Sequence, residues 1–338
     1  MLWFVFRDPA KRAEMGQALS HASPAWLLAG IFCYGLTEVL SGIRWQLLLR
    51  VQGISLSWTR VFLLTLVGVF FNFFIPGGTG GDVVKIFYLL KETPGQRSLA
   101  LLSVLVDRIA GVLGLALLAA GLIAARWSWL TSVPETERYV WPAIIIFVFT
   151  VGGIHFSWVI TRRGLVHKLP PRFPGRDKLA ELARAYTLYG RAWGASLLAI
   201  AISIAAHVSF FGVFYCAARA LAHDDLRLPT FGELSTIMPV VNVLSAMPVS
   251  LGGLGVREGL FQVFLSQLCG VREAVAVLIS STGYFLTFFW GLVGGVVYLF
   301  YRPSEHARLR EIRSEVATLE HAVAEEEVAM EIAREEKP

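Results

Sequence analysis

Long apolar runs dominate this chain. Stretches at about 98–124, 140–160, 194–218 and 274–301 contain almost no charge, and about 20 apolar residues are enough to cross a hydrocarbon core of roughly 30 Å. The run 25–43 is a fifth span. Glu38 lies inside it and Arg44-Trp45 closes it at interfacial depth, where Glu38 and Arg44 could snorkel to the headgroups. Two further apolar segments are interrupted. Residues 59–76 end in Pro76-Gly77-Gly78-Thr79-Gly80-Gly81-Asp82, and a short apolar helix over 83–90 follows. Residues 232–249 end at Pro248, and Gly252-Gly253-Leu254-Gly255-Val256-Arg257-Glu258 leads into another short helix over 258–270. Setting the two glycine breaks against each other also places Asn72 and Asn242 upstream of both prolines, at unequal distances. This reads as a degenerate internal repeat. Interrupted segments at corresponding places in two halves point to a transporter binding site.

The fold class expected is an all-α, polytopic integral membrane helix bundle with two Pro/Gly-broken segments, re-entrant or spanning, in an inverted repeat. A polar or interfacial segment over 1–24, with no cleaved signal peptide expected, precedes a membrane domain over 25–302. Its halves are about 25–125 and 194–301, joined by a connector span at 140–160 and a basic linker at 161–193. That linker holds Arg162, Arg163, Lys168, Arg172, Arg176, Lys178, Arg184 and Arg191 against Asp177 and Glu181. Such a bias sets the linker and the tail at 303–338 on the cytoplasmic side of the inner membrane. The side of the N-terminus stays open: a first broken pair dipping in from the cytoplasm places it outside, whereas Arg7, Lys11 and Arg12 argue for the inside.

Composition agrees with a bilayer as solvent. Apolar residues make up 55% of the 338 and charged ones 16%, with a mean hydropathy of +0.61; soluble domains average about 45–50% and roughly 25%. The tail at 303–338 carries 10 acidic and 5 basic side chains, which leaves the body strongly basic and suited to anionic lipid headgroups. Nothing suggests nucleic-acid binding. Cys33, Cys216 and Cys269 lack metal or redox spacing, and neither a metal nor a cofactor is expected. The tail has 3-4 spacing at Leu309, Ile312, Val316, Leu319 and Val323, the pattern of a solvated helix, with self-association as the alternative.

The candidate chemistry lies at the breaks and at charges within apolar runs. Unwound backbone at membrane depth is tolerated only where protein or a wet cavity satisfies it. Helix starts near Asp82 and Glu258 would then present free amides and a positive dipole end to an anion; the alternative is a pair of tight surface turns. Pro76, Gly77, Gly78, Gly80, Gly81, Gly252, Gly253 and Gly255 would line the cavity with Asn72 and Asn242. Asp82 and Lys85 share one helix face by spacing. Asp107-Arg108 lies near mid-depth, where a charge costs at least about 2.5–3.5 kcal/mol. Asp107 is expected to meet a basic residue of a neighbouring loop and Arg108 a substrate phosphate; the alternative is an ion pair locking two helices. Arg257 and Glu258 stand at the second break, and His207, mid-span, is a packing residue or a proton relay. No catalytic motif or P-loop is present.

Three stretches carry a family resemblance: Phe71-Asn72-Phe73-Phe74-Ile75-Pro76-Gly77-Gly78-Thr79-Gly80-Gly81-Asp82, Val106-Asp107-Arg108-Ile109-Ala110-Gly111 and Leu251-Gly252-Gly253-Leu254-Gly255-Val256-Arg257-Glu258-Gly259. Over roughly 25–300 the chain resembles the lysylphosphatidylglycerol synthase transmembrane family of flippase-like membrane proteins. The resemblance implies a bundle that moves aminoacylated phosphatidylglycerol between leaflets. Relatives attach it to a soluble aminoacyltransferase or glycosyltransferase domain, or accompany hopanoid or polyprenyl-linked pathways. Only the charged tail follows Tyr301, so synthase activity is not expected of this chain. The leading expectation is a translocase for anionic or aminoacylated phospholipid, or for a related lipid-linked substrate. In it Arg108, Arg257 and Lys85 neutralise phosphate, Asp82, Asp107 and Glu258 orient those cations, and Asp107, Glu258 and His207 are the candidate proton carriers. The alternatives are a lipid-modifying membrane enzyme and a membrane partner of a separate one.

Overall fold

A chain surrounded by lipid must pair its backbone groups within itself, and helices do so locally. The computed structural model describes residues 15–16, 18–74, 80–92, 97–164, 176–222, 227–247 and 253–301. Its helices of more than one turn are α1 (Pro24–Val51), α2 (Trp58–Phe74), α3 (Gly80–Glu92), α4 (Arg97–Ala125), α5 (Pro134–Arg162), α6 (Arg176–Arg191), α7 (Trp193–Ala220), α8 (Phe231–Ser245), α9 (Val256–Cys269) and α10 (Glu273–Phe300). Five of them, α1, α4, α5, α7 and α10, are long and apolar enough to cross a membrane. Their starts follow local rules: Pro24 and Pro134 stand in the first turns of α1 and α5. At α8 the Thr230 hydroxyl accepts from the Glu233 amide, and the Glu233 carboxylate accepts from the Thr230 amide. Pro248, Pro76, Gly77, Gly78, Gly252 and the expected tail helix lie outside the described residues.

The internal repeat is explicit in element lengths. Helices α1 to α4 have 28, 17, 13 and 29 residues, and α7 to α10 have 28, 15, 14 and 28. Each half is thus a span, a pair of short helices and a second span, with α5 and α6 between the halves. The leading helices α1 and α7 pack antiparallel along the centre: the Thr37 hydroxyl donates to the Ala206 carbonyl at 3.4 Å, and Ser209 Oγ to the Cys33 carbonyl at 2.8 Å. Antiparallel leading helices make the repeat an inverted one.

Both short pairs are re-entrant. Helix α2 runs antiparallel to α10: Leu63 lines a pocket with Phe300 and Tyr301, Phe70 stacks on Tyr298, and Phe73 meets Tyr284 edge-on at 5.4 Å. Tyr284 is the twelfth residue of a 28-residue helix, so α2 stops about halfway along it. Helix α3 then returns, with Tyr88 against Tyr301 at 5.6 Å. Two close approaches fix this packing. A Cβ on Gly81 would strike the Gly68 carbonyl, and one on Gly294 would strike the Leu66 carbonyl. The second pair enters from the other end: Gly232 abuts Arg126 at the end of α4, and Gln262 of α9 donates to Glu273 at the start of α10. Gly270, at φ +65°, closes α9 there.

The apolar core has a larger part around Phe211, Phe214, Phe261 and Phe264 and a smaller one around Trp45, Leu49, Val67, Phe71 and Tyr88. The first half of α5 enters the larger part through Val140 and Ala143, while Val148, Phe149 and Phe156 farther along it face lipid. Two expectations are corrected. Glu38 and Arg44 do not snorkel, because α1 continues to Val51 and neighbouring helices bury both side chains. The linker is not simply polar: α6 docks onto the bundle through Tyr189, whose hydroxyl donates to the Leu48 carbonyl at 2.9 Å, and through Tyr186, bonded to Ser157 at 2.6 Å.

The Gly294 contact yields a direct test. Gly294→Leu forces a side chain onto backbone and is expected to cost about 1–3 kcal/mol, lowering the melting temperature in detergent. Gly121→Leu, at a position with open space around its Cβ, should melt like the parent. Equal melting of the two variants would contradict the packing described.

Candidate functional site

The first hairpin tip is built by capping. Asn72, in the last turn of α2, accepts the Gly81 amide on its Oδ1 at 2.8 Å, satisfying one of the donors that every helix start leaves open. Asp82 sits in the first turn of α3, where a carboxylate complements the helix dipole. Its partner is the Arg108 guanidinium from the middle of α4. At the second tip Gly253 and Gly255 adopt φ of +77° and +84°, which an L side chain rarely does. A side chain at Gly253 would also press on the Ser245 carbonyl. Glu258, buried in the first turn of α9, accepts the Gly255 amide at 2.6 Å. The Gly81 and Gly255 amides are therefore engaged by the protein itself, and the expected free amides are not what the described part of these starts offers. Anion binding here falls to side-chain cations.

Inverted symmetry relates the two tips. Arg108 and Tyr284 are each the twelfth residue of their helix, and Asp82 and Glu258 each the third of theirs. In the first half the α4 position carries a cation facing an acid on α3. In the second, the α10 position carries an aromatic ring, and the Arg257 guanidinium lies 4.9 Å over it. Tyr284 also receives Phe73 from the first tip, so this ring joins the two hairpins at mid-depth.

A second layer of charge lies between Arg108 and the linker end. Arg44 clasps Asp107 through Nε to Oδ1 at 2.7 Å and Nη2 to Oδ2 at 3.1 Å, and its Nη1 donates to Ser203 at 2.9 Å. Gly111 leaves the room in which this guanidinium lies. His207 Nε2 donates to the Gly111 carbonyl at 3.0 Å, tying α7 to α4. Lys85 Nζ sits 5.1 Å over the Trp45 ring. Glu38 lies close enough to Lys85, Arg44, Asp107 and Tyr34 to feel their charges and dipole, and Tyr34 in turn feels Arg257. The charged groups thus form one network running from the first tip, through the middle of α1, to the second.

The structure gathers Asn72, Gly80, Gly81, Asp82, Lys85, Asp107 and Arg108 in one half of this network and Gly253, Gly255, Arg257 and Glu258 in the other. Two pairings differ from expectation. Asp107 meets a spanning helix, through Arg44, instead of a loop cation, and Asp82 turns to Arg108 while Lys85 turns to Trp45. Asn242 has no capping role matching that of Asn72 among the described residues; its backbone carbonyl accepts from Ala246 at the end of α8. Sequence reasoning missed Tyr34, Ser203 and Tyr284. Only the last left a trace, as the repeat-equivalent of Arg108.

The two ion pairs differ in burial. Side-chain exposure is 11% for both Arg44 and Asp107, but 45% for Arg108 and 21% for Asp82. Removing one partner of a buried pair costs about 3–5 kcal/mol, because the other charge is stranded, whereas an exposed pair is worth about 0–1. Asp107→Ala should therefore lower the detergent melting temperature far more than Arg108→Ala does. The joint replacement of Arg44 and Asp107 by leucine should regain much of that loss. Equal damage from Arg108→Ala would assign both pairs to structure.

A family model described as the lysylphosphatidylglycerol synthase TM region matches residues 1–295. A UPF0104 membrane protein of Methanothermobacter thermautotrophicus is 23% identical over 314 residues, covering 83% of this chain and 86% of that protein. A UPF0104 membrane protein of Pyrococcus horikoshii is 24% identical over 301 residues, covering 83% and 88%. With five apolar helices of spanning length and a match over nearly the whole membrane region, this chain is a multi-pass membrane protein that belongs to the lysylphosphatidylglycerol synthase transmembrane-region family.

Proposed function

We propose that the protein is a lipid translocase of the cytoplasmic membrane, moving an anionic or aminoacylated phospholipid, or a related lipid-linked substrate, between leaflets. One observation carries this reading: two hairpins inserted from opposite faces meet through a charged network halfway across the bundle. Charge at that depth is costly and is retained where a polar group has to pass. The family's name supports a role in membrane lipid chemistry, and the basic linker supports placing α6 and the tail on the cytoplasmic side.

The two ion pairs then divide the work. Arg44–Asp107, hydrogen-bonded to Ser203 and hidden from solvent, is a fixed strut. Arg108–Asp82 is the exchangeable pair: an incoming phosphate takes the place of the Asp82 carboxylate on the half-exposed Arg108 guanidinium. Arg257, on the opposite hairpin, provides the next cationic station. Lys85 keeps the potential between them favourable to an anion, and the acyl chains stay in the bilayer. No nucleotide-binding motif is present in the sequence, so the movement is downhill or coupled to an ion.

The test reconstitutes purified protein in liposomes and follows headgroup-labelled phosphatidylglycerol by dithionite bleaching. Wild type should make the inner-leaflet label accessible. Arg108→Ala and Arg257→Ala should bring movement down by roughly tenfold or more, the factor that about 1.4 kcal/mol of lost stabilisation produces, with unchanged melting. Wild type matching protein-free vesicles, or full activity in both variants, would contradict the proposal.

A further inference from the structure

A cavity of about 500 Å³ lies away from the charged network, between α4, α5, α6 and α7. It falls within the size range of small-ligand sites, roughly 300–1,000 Å³. Its wall includes Val106, Ile109, Ala110 and Leu113 of α4, Ile154 and Trp158 of α5, and Trp193 and Leu197 of α7. We propose that this cavity seats one acyl chain of an anionic phospholipid, at a site separate from the polar centre.

Three observations converge on that occupant. First, the hydroxyls along the wall have partners within the protein: Tyr189 donates to the Leu48 carbonyl, Tyr186 is bonded to Ser157, and Ser196 donates to the Tyr189 carbonyl. They ask nothing of a ligand, and what remains, apart from the His155 ring packed against Trp158, is hydrocarbon surface. Second, the mouth faces lipid: Trp193 is 69% exposed and Leu197 57%, so a chain enters sideways from the bilayer. Third, the linker end of the cavity is basic. The Arg162 guanidinium lies 5.2 Å over the Trp158 ring of the wall, whereas Arg184 and Arg191 line a separate pocket with Thr161 on the opposite face of α6. A chain seated here brings its headgroup to the Arg162 guanidinium, which favours an anionic lipid.

The site does not overlap the translocation network. Successive residues on a helix diverge by about 100°, so Val106, Ile109, Ala110 and Leu113 share one face of α4 while Arg108 leaves from the opposite one, toward Asp82. A lipid in this seat would fasten α6 and the connector α5 to the first half, whether or not lipid moves elsewhere.

Gly190 gives the test, because it lines the cavity and a Cβ there meets open space. The full chain is reconstituted in phosphatidylcholine vesicles containing phosphatidylglycerol with a photoreactive diazirine midway along one chain, and adducts are mapped after irradiation. Adducts should concentrate on residues 106–113, 154–158 and 193–200 and be competed by unlabelled phosphatidylglycerol. Gly190→Phe should reduce them by roughly tenfold, equivalent to about 1.4 kcal/mol of binding, while adducts at lipid-facing Phe285 and Phe300 stay constant. Gly190→Leu serves if the larger side chain prevents folding. Arg162→Gln should narrow the preference over a diazirine phosphatidylcholine of the same chain. Adducts spread evenly over the lipid-facing surface, or unaffected by filling Gly190, would overturn the seat. Equal labelling by both lipids in the parent would overturn the anionic assignment.

Discussion

Everything distinctive in this structure depends on how the chain is allowed to stop being helical in the middle of a hydrophobic bundle. An unpaired amide or carbonyl in hydrocarbon costs several kcal/mol, so a hairpin can end at mid-depth only if side chains complete its backbone. Asn72 does this for Gly81, and Glu258 does it for Gly255. Both acceptors come from within the hairpin they complete. Glycine is required where that enclosure brings backbone onto backbone, as at Gly81 against Gly68.

Once polar backbone is admitted at that level, charged side chains can follow, and the two halves use the opportunity differently. The first half carries Asp82, Lys85, Asp107 and Arg108 together with Glu38 and Arg44 from α1. In the second half the equivalent region is built from Phe214 against Gly283 and from Tyr284 under Arg257. One inverted architecture has thus acquired a strongly charged side and a largely aromatic one.

Much of the scaffold was legible in the sequence, because a spanning helix is a local property. The five long runs become α1, α4, α5, α7 and α10, although α1 continues to Val51 past the expected limit at 43 and α5 begins at Pro134 ahead of 140, and the Pro/Gly breaks mark both hairpins. Depth was not legible. Whether 59–76 crosses or turns back depends on Phe73 meeting Tyr284, more than 200 residues away, and no periodicity records such a contact. Partner choice was hidden for the same reason. Asp107 was an evident candidate, but the proximity of Arg44 arises only when α1 and α4 pack together. The amphipathic character of α6 was masked by its basic residues, and Tyr186 and Tyr189, which dock it, carry no motif.

The central claim is that both hairpin tips lie near the bilayer midplane, having entered from opposite sides. Spin labels placed singly at Phe73 and Leu254, and at the hairpin bases Trp58 and Phe231, in a background with Cys33, Cys216 and Cys269 replaced, would measure this by electron paramagnetic resonance depth profiling. The account predicts both tips about 15 Å below the headgroups, half of a hydrocarbon core of roughly 30 Å, with the two bases at headgroup depth on opposite faces. Tips found at headgroup depth, or both bases on one face, would contradict it.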